Sequence, residues 1–127
     1  MNLSLVLDAG ALIAVERRSA QLQALVQRTG ARKASIVVPT AVVAQVVRAG
    51  GRQANVRRFL TDPYLRFIGL DYPTALEIGT LLGETGTADV VDAAVVVCAR
   101  ALGDCPIVTS DPEDLRKLDP VLPLIVV

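Results

Sequence analysis

Histidine is absent from these 127 residues. That removes the Ser-His-Asp triad and the paired-histidine acid–base chemistry by which some ribonucleases form a cyclic phosphate. Cysteine is scarce: Cys98 and Cys105 are the two thiols, and without histidine they cannot complete a four-ligand zinc site within one chain. Cys98 lies in AAVVVCAR and reads as a small core residue, with a disulfide as the alternative. Phe59, Tyr64, Phe67 and Tyr72 are the only aromatics, so stacking on nucleic-acid bases would be a secondary mode of binding. No apolar run reaches the roughly 18 residues of a membrane span, because Asp8, Asp89 and Asp92 interrupt the candidates. The apolar start lacks a basic leader, and Glu16, Arg17 and Arg18 follow it, the wrong polarity for a signal peptide. The expectation is a cytoplasmic protein without a membrane segment.

The length suits one domain over residues 1–127. An apolar content of 52% and a mean hydropathy of +0.48 imply a generous core and some apolar surface covered by a partner. The zero net charge hides an asymmetry: residues 1–70 carry ten Lys/Arg against three Asp/Glu, and residues 71–127 carry three against ten. Arg48, Arg52, Arg57, Arg58 and Arg66 crowd one segment opposed only by Asp62. Such a run is either a solvated helix face or a phosphate-binding patch, since guanidinium forks match phosphate oxygens.

β-rich runs at 3–7 (LSLVL), 35–38 (SIVV), 65–70 (LRFIGL), 106–109 (PIVT) and 122–126 (LPLIV) alternate with helical patterns at 10–17, 20–29, 40–49, 52–61, 74–83, 88–102 and 112–118. This alternation predicts an α/β fold, a mostly parallel sheet of about five strands with helices on both faces. Gly50-Gly51 and Gly103 are candidate helix stops, and Asp111-Pro112 a helix start. Ligands of such sheets bind beyond the carboxyl ends of the strands, where strand order reverses. Asp8 ends the first expected strand, and Asp111 follows the fourth.

Each acid also has an ordinary explanation. Asp8 would cap a helix beginning near Gly10, and Asp111 a helix beginning at Pro112, for about 1 kcal/mol. Asp89 would sit in the first turn behind a Thr87 cap, favoured by the helix dipole by about 0.3–1 kcal/mol. Asp92, a turn further in among Val90, Val91, Ala93, Ala94 and Val95, is harder to explain, because a buried unpaired carboxylate costs several kcal/mol. It must face water or meet a cation. Carboxylates gathered in one crevice repel one another unless a cation neutralises them, and Mg²⁺ does so while leaving positions for water and phosphate oxygens. Such an ion activates water at a phosphodiester without histidine.

The stretches LVLDAGALIA, VPTAVVAQVVR, TADVVDAAVVVCAR and IVTSDPEDLRKL, in that order and spacing, resemble the PIN-domain ribonucleases, specifically the VapC-like toxins of bacterial toxin–antitoxin operons. The resemblance spans essentially the whole chain. It implies an Mg²⁺- or Mn²⁺-dependent endoribonuclease, usually a homodimer, inhibited by a small antitoxin that covers or enters the acidic crevice. Carried over by position, the catalytic acids are Asp8, Asp92 and Asp111, and Asp89 joins them as a metal ligand. Thr109 and Ser110 form the polar turn beside the metal, and Arg48 and Arg52 would help hold RNA. One position departs: the glutamate usual on the helix after the second strand is Gln45 here, either an ordinary surface amide or a weakened ligand. Asp89 is a candidate for restoring the lost charge.

Three rivals remain. A haloacid-dehalogenase-type phosphatase needs a second acid where Gly10 stands, and a receiver-like domain needs a lysine on a late strand, whereas Lys33 and Lys117 are the only lysines. A PIN-like domain without catalysis, serving as an RNA- or protein-binding module, is kept open by Gln45.

Overall fold

The computed structural model describes residues 4–48 and 51–127. These form, in chain order, β1 (Leu5–Leu7), α1 (Ala9–Glu16), α2 (Ala20–Ala31), β2 (Ile36–Pro39), α3 (Thr40–Val46), α4 (Ala54–Phe59), β3 (Leu65–Ile68), α5 (Tyr72–Thr85), α6 (Val90–Ala101), β4 (Ile107–Thr109), α7 (Pro112–Leu118) and β5 (Leu124–Val126). The sheet runs β3-β2-β1-β4-β5, and every pairing is parallel.

The central strands are short, continuous apolar runs because both of their faces are covered. Val6, Leu7, Val37, Val38, Ile107 and Val108 are fully buried, and each such side chain contributes about 1.5–3 kcal/mol through burial. Register is set by Val6, which aligns with Val37 on one side and Ile107 on the other. The chain runs outward from β1 through β2 to β3 and then returns past β1 to β4 and β5; the right-handed rule for such crossovers assigns α1–α4 to one face and α5–α7 to the other. Helix α1 contacts α2, α3 and α4, and α5, α6 and α7 contact one another, while α3 also touches α6. Cys98 and Cys105 are buried and unbonded, and burial pushes the Cys98 thiol up to about 11. Among the described residues no helix is long and apolar enough to cross a membrane.

Several boundaries differ from the sequence expectation: α4 is shorter than 52–61, α5 is longer than 74–83 with Asp71 as its N-cap, and β3 stops at Ile68, while the two differences at α3 and α6 bear on the site. Helix α3 stops at Val46 instead of running to residue 49, since Val47 is extended (φ −73°, ψ 129°). The Gln53 side chain closes that end, donating to the Val46 carbonyl at 2.7 Å and accepting from the Arg48 N–H at 2.8 Å. Gly50, the expected stop, lies outside the described residues. The second difference concerns α6. It begins at Val90 with Asp89 as its N-cap, and Thr87, the expected cap, instead shares a hydrogen bond with the Thr85 hydroxyl at 2.9 Å. Gly103 does follow the end of α6, in the left-handed region (φ 81°).

Candidate active site at the strand switch point

Strand order reverses at β1, with β2 on one side and β4 on the other. The general rule for open α/β sheets puts the ligand crevice beyond the carboxyl ends of β1 and β4. Asp8 leaves β1 there, its N–H donating to the Val108 carbonyl at 3.2 Å. Thr109 is the last residue of β4, and Ser110 and Asp111 form the turn into α7.

The Asp8 side chain is buried, and one of its oxygens accepts from the Ala11 N–H at 2.9 Å, capping α1. Its ordinary structural role is thus real. Burial pushes its carboxyl up, with a smaller push from Asp111, against the hydrogen bonds from the Thr109 hydroxyl and the Ala11 and Gly10 amides. Thr109, fully buried, also accepts from the Asp111 N–H at 3.0 Å. Thr109 thus sits beside Asp8 and holds the backbone, not the carboxylate, of Asp111. Asp111 occupies the N-cap position of α7, yet its side chain makes no capping hydrogen bond. The capping explanation offered for it fails, and its carboxylate is exposed.

Asp92 stands in the first turn of α6, not a turn deeper, because the helix starts two residues later than expected. Its N–H donates to the Asp89 carboxylate at 3.0 Å. The side chain is half-buried, and neither ion pair found among the described residues includes it. Burial foremost, then the charges of Asp89, Asp8, Asp114 and Asp111, raise the Asp92 carboxyl to about 6. Acids from three separate segments therefore act on one another at the switch point. Asp114, in the first turn of α7, was not singled out from sequence. Its spacing three residues beyond Asp111 was the available signal.

The donors here are hard carboxylate oxygens with no nitrogen ligand, which suits Mg²⁺ or Mn²⁺ rather than zinc. Among the described residues, however, no three Asp, Glu or Cys side chains stand as a ready-made ligand set. The fit is to a largely hydrated ion held by one or two direct carboxylates. Of the other candidate residues, Ser110 is exposed beside the crevice. Gln45 is exposed on α3, a helix packed against α1 and α6, and its side chain makes no hydrogen bond among the described residues. The Arg48 guanidinium donates to the Ala44 and Val47 carbonyls, both at 2.9 Å, so it closes its own helix. Arg52 is exposed with no hydrogen bond among the described residues.

Comparison with solved structures places this architecture. The chain superposes with a TM-score of 0.73, at 15% identity over 98% of both chains, on the VapBC2 complex from Rickettsia felis bound to a DNA fragment from its promoter. Similar likenesses hold for DNA-bound VapBC from Salmonella typhimurium (TM-score 0.70, 12% identity, 98% of both chains). The VapBC-5 toxin–antitoxin system of Mycobacterium tuberculosis is matched at TM-score 0.58 and 17% identity, again over 98% of both chains. No family model and no curated protein matches the sequence. The fold is that of a PIN-like domain, the α/β architecture that recurs in these toxin–antitoxin complexes.

Proposed function

We propose that this chain is the toxin of a toxin–antitoxin pair and a divalent-metal-dependent endoribonuclease acting in the cytoplasm. The observation that carries this reading is the gathering of Asp8, Asp92 and Asp111 at the switch point, close enough that their charges act on one another, with Thr109 beside Asp8 and bonded to the Asp111 backbone. Asp8, Asp92 and Asp111 would hold Mg²⁺ or Mn²⁺ directly or through its waters, and Asp89 would add charge from the α6 N-terminus. When bound, the ion supplies water activation and screens charge developing on phosphorus. Thr109 would hold Asp8 and the Asp111 backbone in register, and the exposed Ser110 hydroxyl would be available to a phosphate oxygen. Arg52 offers an uncommitted guanidinium to the RNA backbone.

A cognate antitoxin is the expected protein partner, in line with the fold neighbours being toxin–antitoxin complexes. A homodimer is supported by the apolar side chains of Phe67, Leu70, Tyr72 and Leu76, exposed along β3 and the start of α5. A second reading, an RNA-binding module without turnover, draws on Gln45 and on the absence of a preassembled ligand triad among the described residues.

The test compares RNA cleavage by the wild type and Asp8→Asn with Mg²⁺, with Mn²⁺ and with chelator. Asparagine caps helices as well as aspartate does, so the variant should fold normally while cleavage falls at least about 100-fold. Equal cleavage by both proteins, or cleavage indifferent to chelator, sinks the proposal. RNA binding without metal-dependent turnover transfers the case to the second reading.

A further inference from the structure

We propose that Gly10, through the side chain it lacks, is a positioning residue that sets the separation of the Asp8 and Asp111 carboxyl groups and so the crevice's grip on a divalent cation. The inference rests on the nuclease reading of that crevice.

Gly10 lies in the first turn of α1, two residues after Asp8. Its backbone is not in the left-handed region, which among the described glycines Gly86 and Gly103 occupy. At ordinary helical dihedrals glycine gains nothing from conformational freedom and forms helix less well than alanine. The reason for it is space. A Cβ on Gly10 would overlap the Ser110 Oγ and stand 3.1 Å from the Ser110 backbone nitrogen and 3.2 Å from the Ser110 Cβ. The hydroxyl can swing aside, but the other two atoms move only with the turn. By contrast, a Cβ on Gly30, Gly79 or Gly83 would meet nothing within 4 Å.

Ser110 sits between Thr109, whose hydroxyl lies beside Asp8 and accepts from the Asp111 backbone N–H, and Asp111 itself. A methyl group at residue 10 is therefore a wedge between the two acid-bearing turns. It would drive Asp8 away from Thr109 and Asp111 without touching any of the three. Displacing a ligand through its supporting residues typically weakens metal binding by about 10–100-fold.

Mn²⁺ titration and thermal melting of purified Gly10→Ala, Ser110→Gly, the double variant and Gly79→Ala test this. Gly10→Ala should bind Mn²⁺ at least about tenfold more weakly than the wild type, while Gly79→Ala binds normally. The double variant, which clears the Oγ and Cβ obstructions, should return to within about threefold of Ser110→Gly, well inside that loss. Wild-type affinity in Gly10→Ala overturns the proposal, as does a folded double variant as weak as Gly10→Ala. Should Gly10→Ala fail to fold, the double variant decides alone: affinity matching Ser110→Gly supports the wedge, and failure to fold or bind refutes it. Asp8→Asn separates the two levels. If the wild type binds no more Mn²⁺ than Asp8→Asn, the metal-crevice reading falls and this proposal with it; if only Gly10→Ala is normal, the positioning role falls by itself.

Discussion

Asp8 answers two demands with one carboxylate: an oxygen caps α1, and the buried group lies within the field of a second strand-end acid, Asp111. Asp92 has no such compensation on its side chain, and its pH dependence follows. Its carboxyl rises from 3.8 to about 6 in the folded protein. Between those values the native state binds more protons than the unfolded state, so stability falls as pH rises through this window. One group cannot exceed about 1.4 kcal/mol per pH unit, and partial exposure reduces that. Metal-free melts from pH 4 to pH 7.5 should show Asp92→Asn gaining on the wild type as pH rises, with little difference near pH 4. A difference that does not vary with pH removes Asp92 from the strained cluster. Mn²⁺ affinity should also weaken below about pH 6, where a proton competes for Asp92. Asp8, Asp92 and Asp111 were legible as candidates because an acid ending or interrupting an apolar run conflicts with packing. The Asp8–Thr109 and Gly10–Ser110 contacts were not, since they join residues about one hundred positions apart, a pairing only strand order creates.

At the scale of elements, apolar runs and glycines revealed where helices and strands lie, but side-chain hydrogen bonds decided where they end. Nothing in the local pattern of VVAQVVRAGG announces that Gln53 will take the Val46 carbonyl and stop α3. Likewise, Thr87 and Asp89 are both good caps, and the choice fell to Asp89, whose carboxylate reaches the Asp92 N–H. That choice matters for the site, because the cap also acts as the largest charged perturber of Asp92. Its two roles separate on substitution. Asp89→Asn should keep the cap and hold stability within about 0.5 kcal/mol, whereas Asp89→Ala should lose about 1 kcal/mol. If Asp89 offsets the charge missing at Gln45, Asp89→Asn should weaken Mn²⁺ binding several-fold despite its intact stability, and Gln45→Glu should strengthen it. Unchanged affinity in Asp89→Asn leaves it a cap and nothing more.

For the whole molecule, the charge asymmetry of the sequence becomes spatial only through topology. The first 70 residues supply β3, β2 and β1 with α1–α4, and the remainder supplies β4 and β5 with α5–α7. The basic and acidic halves therefore meet at the β1–β4 seam, where the crevice lies. Both ion pairs among the described residues, Arg100–Asp119 at 2.8 Å and Lys117–Asp114 at 3.6 Å, belong to the acidic half. Among the described residues no cation of the basic half forms an ion pair, although Arg48 and Arg57 donate to backbone carbonyls; the proposed RNA substrate would meet the remainder. Binding to single-stranded RNA should then weaken steeply with salt, log K falling by about 0.7 per phosphate contact for each unit of log salt. Arg52→Ala should lower that slope by about 0.7 and leave thermal stability unchanged, because the residue is exposed and uncommitted. Arg48→Ala should behave differently: its guanidinium closes the end of α3 on the Ala44 and Val47 carbonyls, so stability should drop by roughly 1 kcal/mol. Binding titrations of both variants from 50 to 300 mM salt, paired with melts, distinguish these roles. An unaltered slope in Arg52→Ala would show that this arginine does not contact the RNA backbone and that any RNA is held by other cations of the basic half.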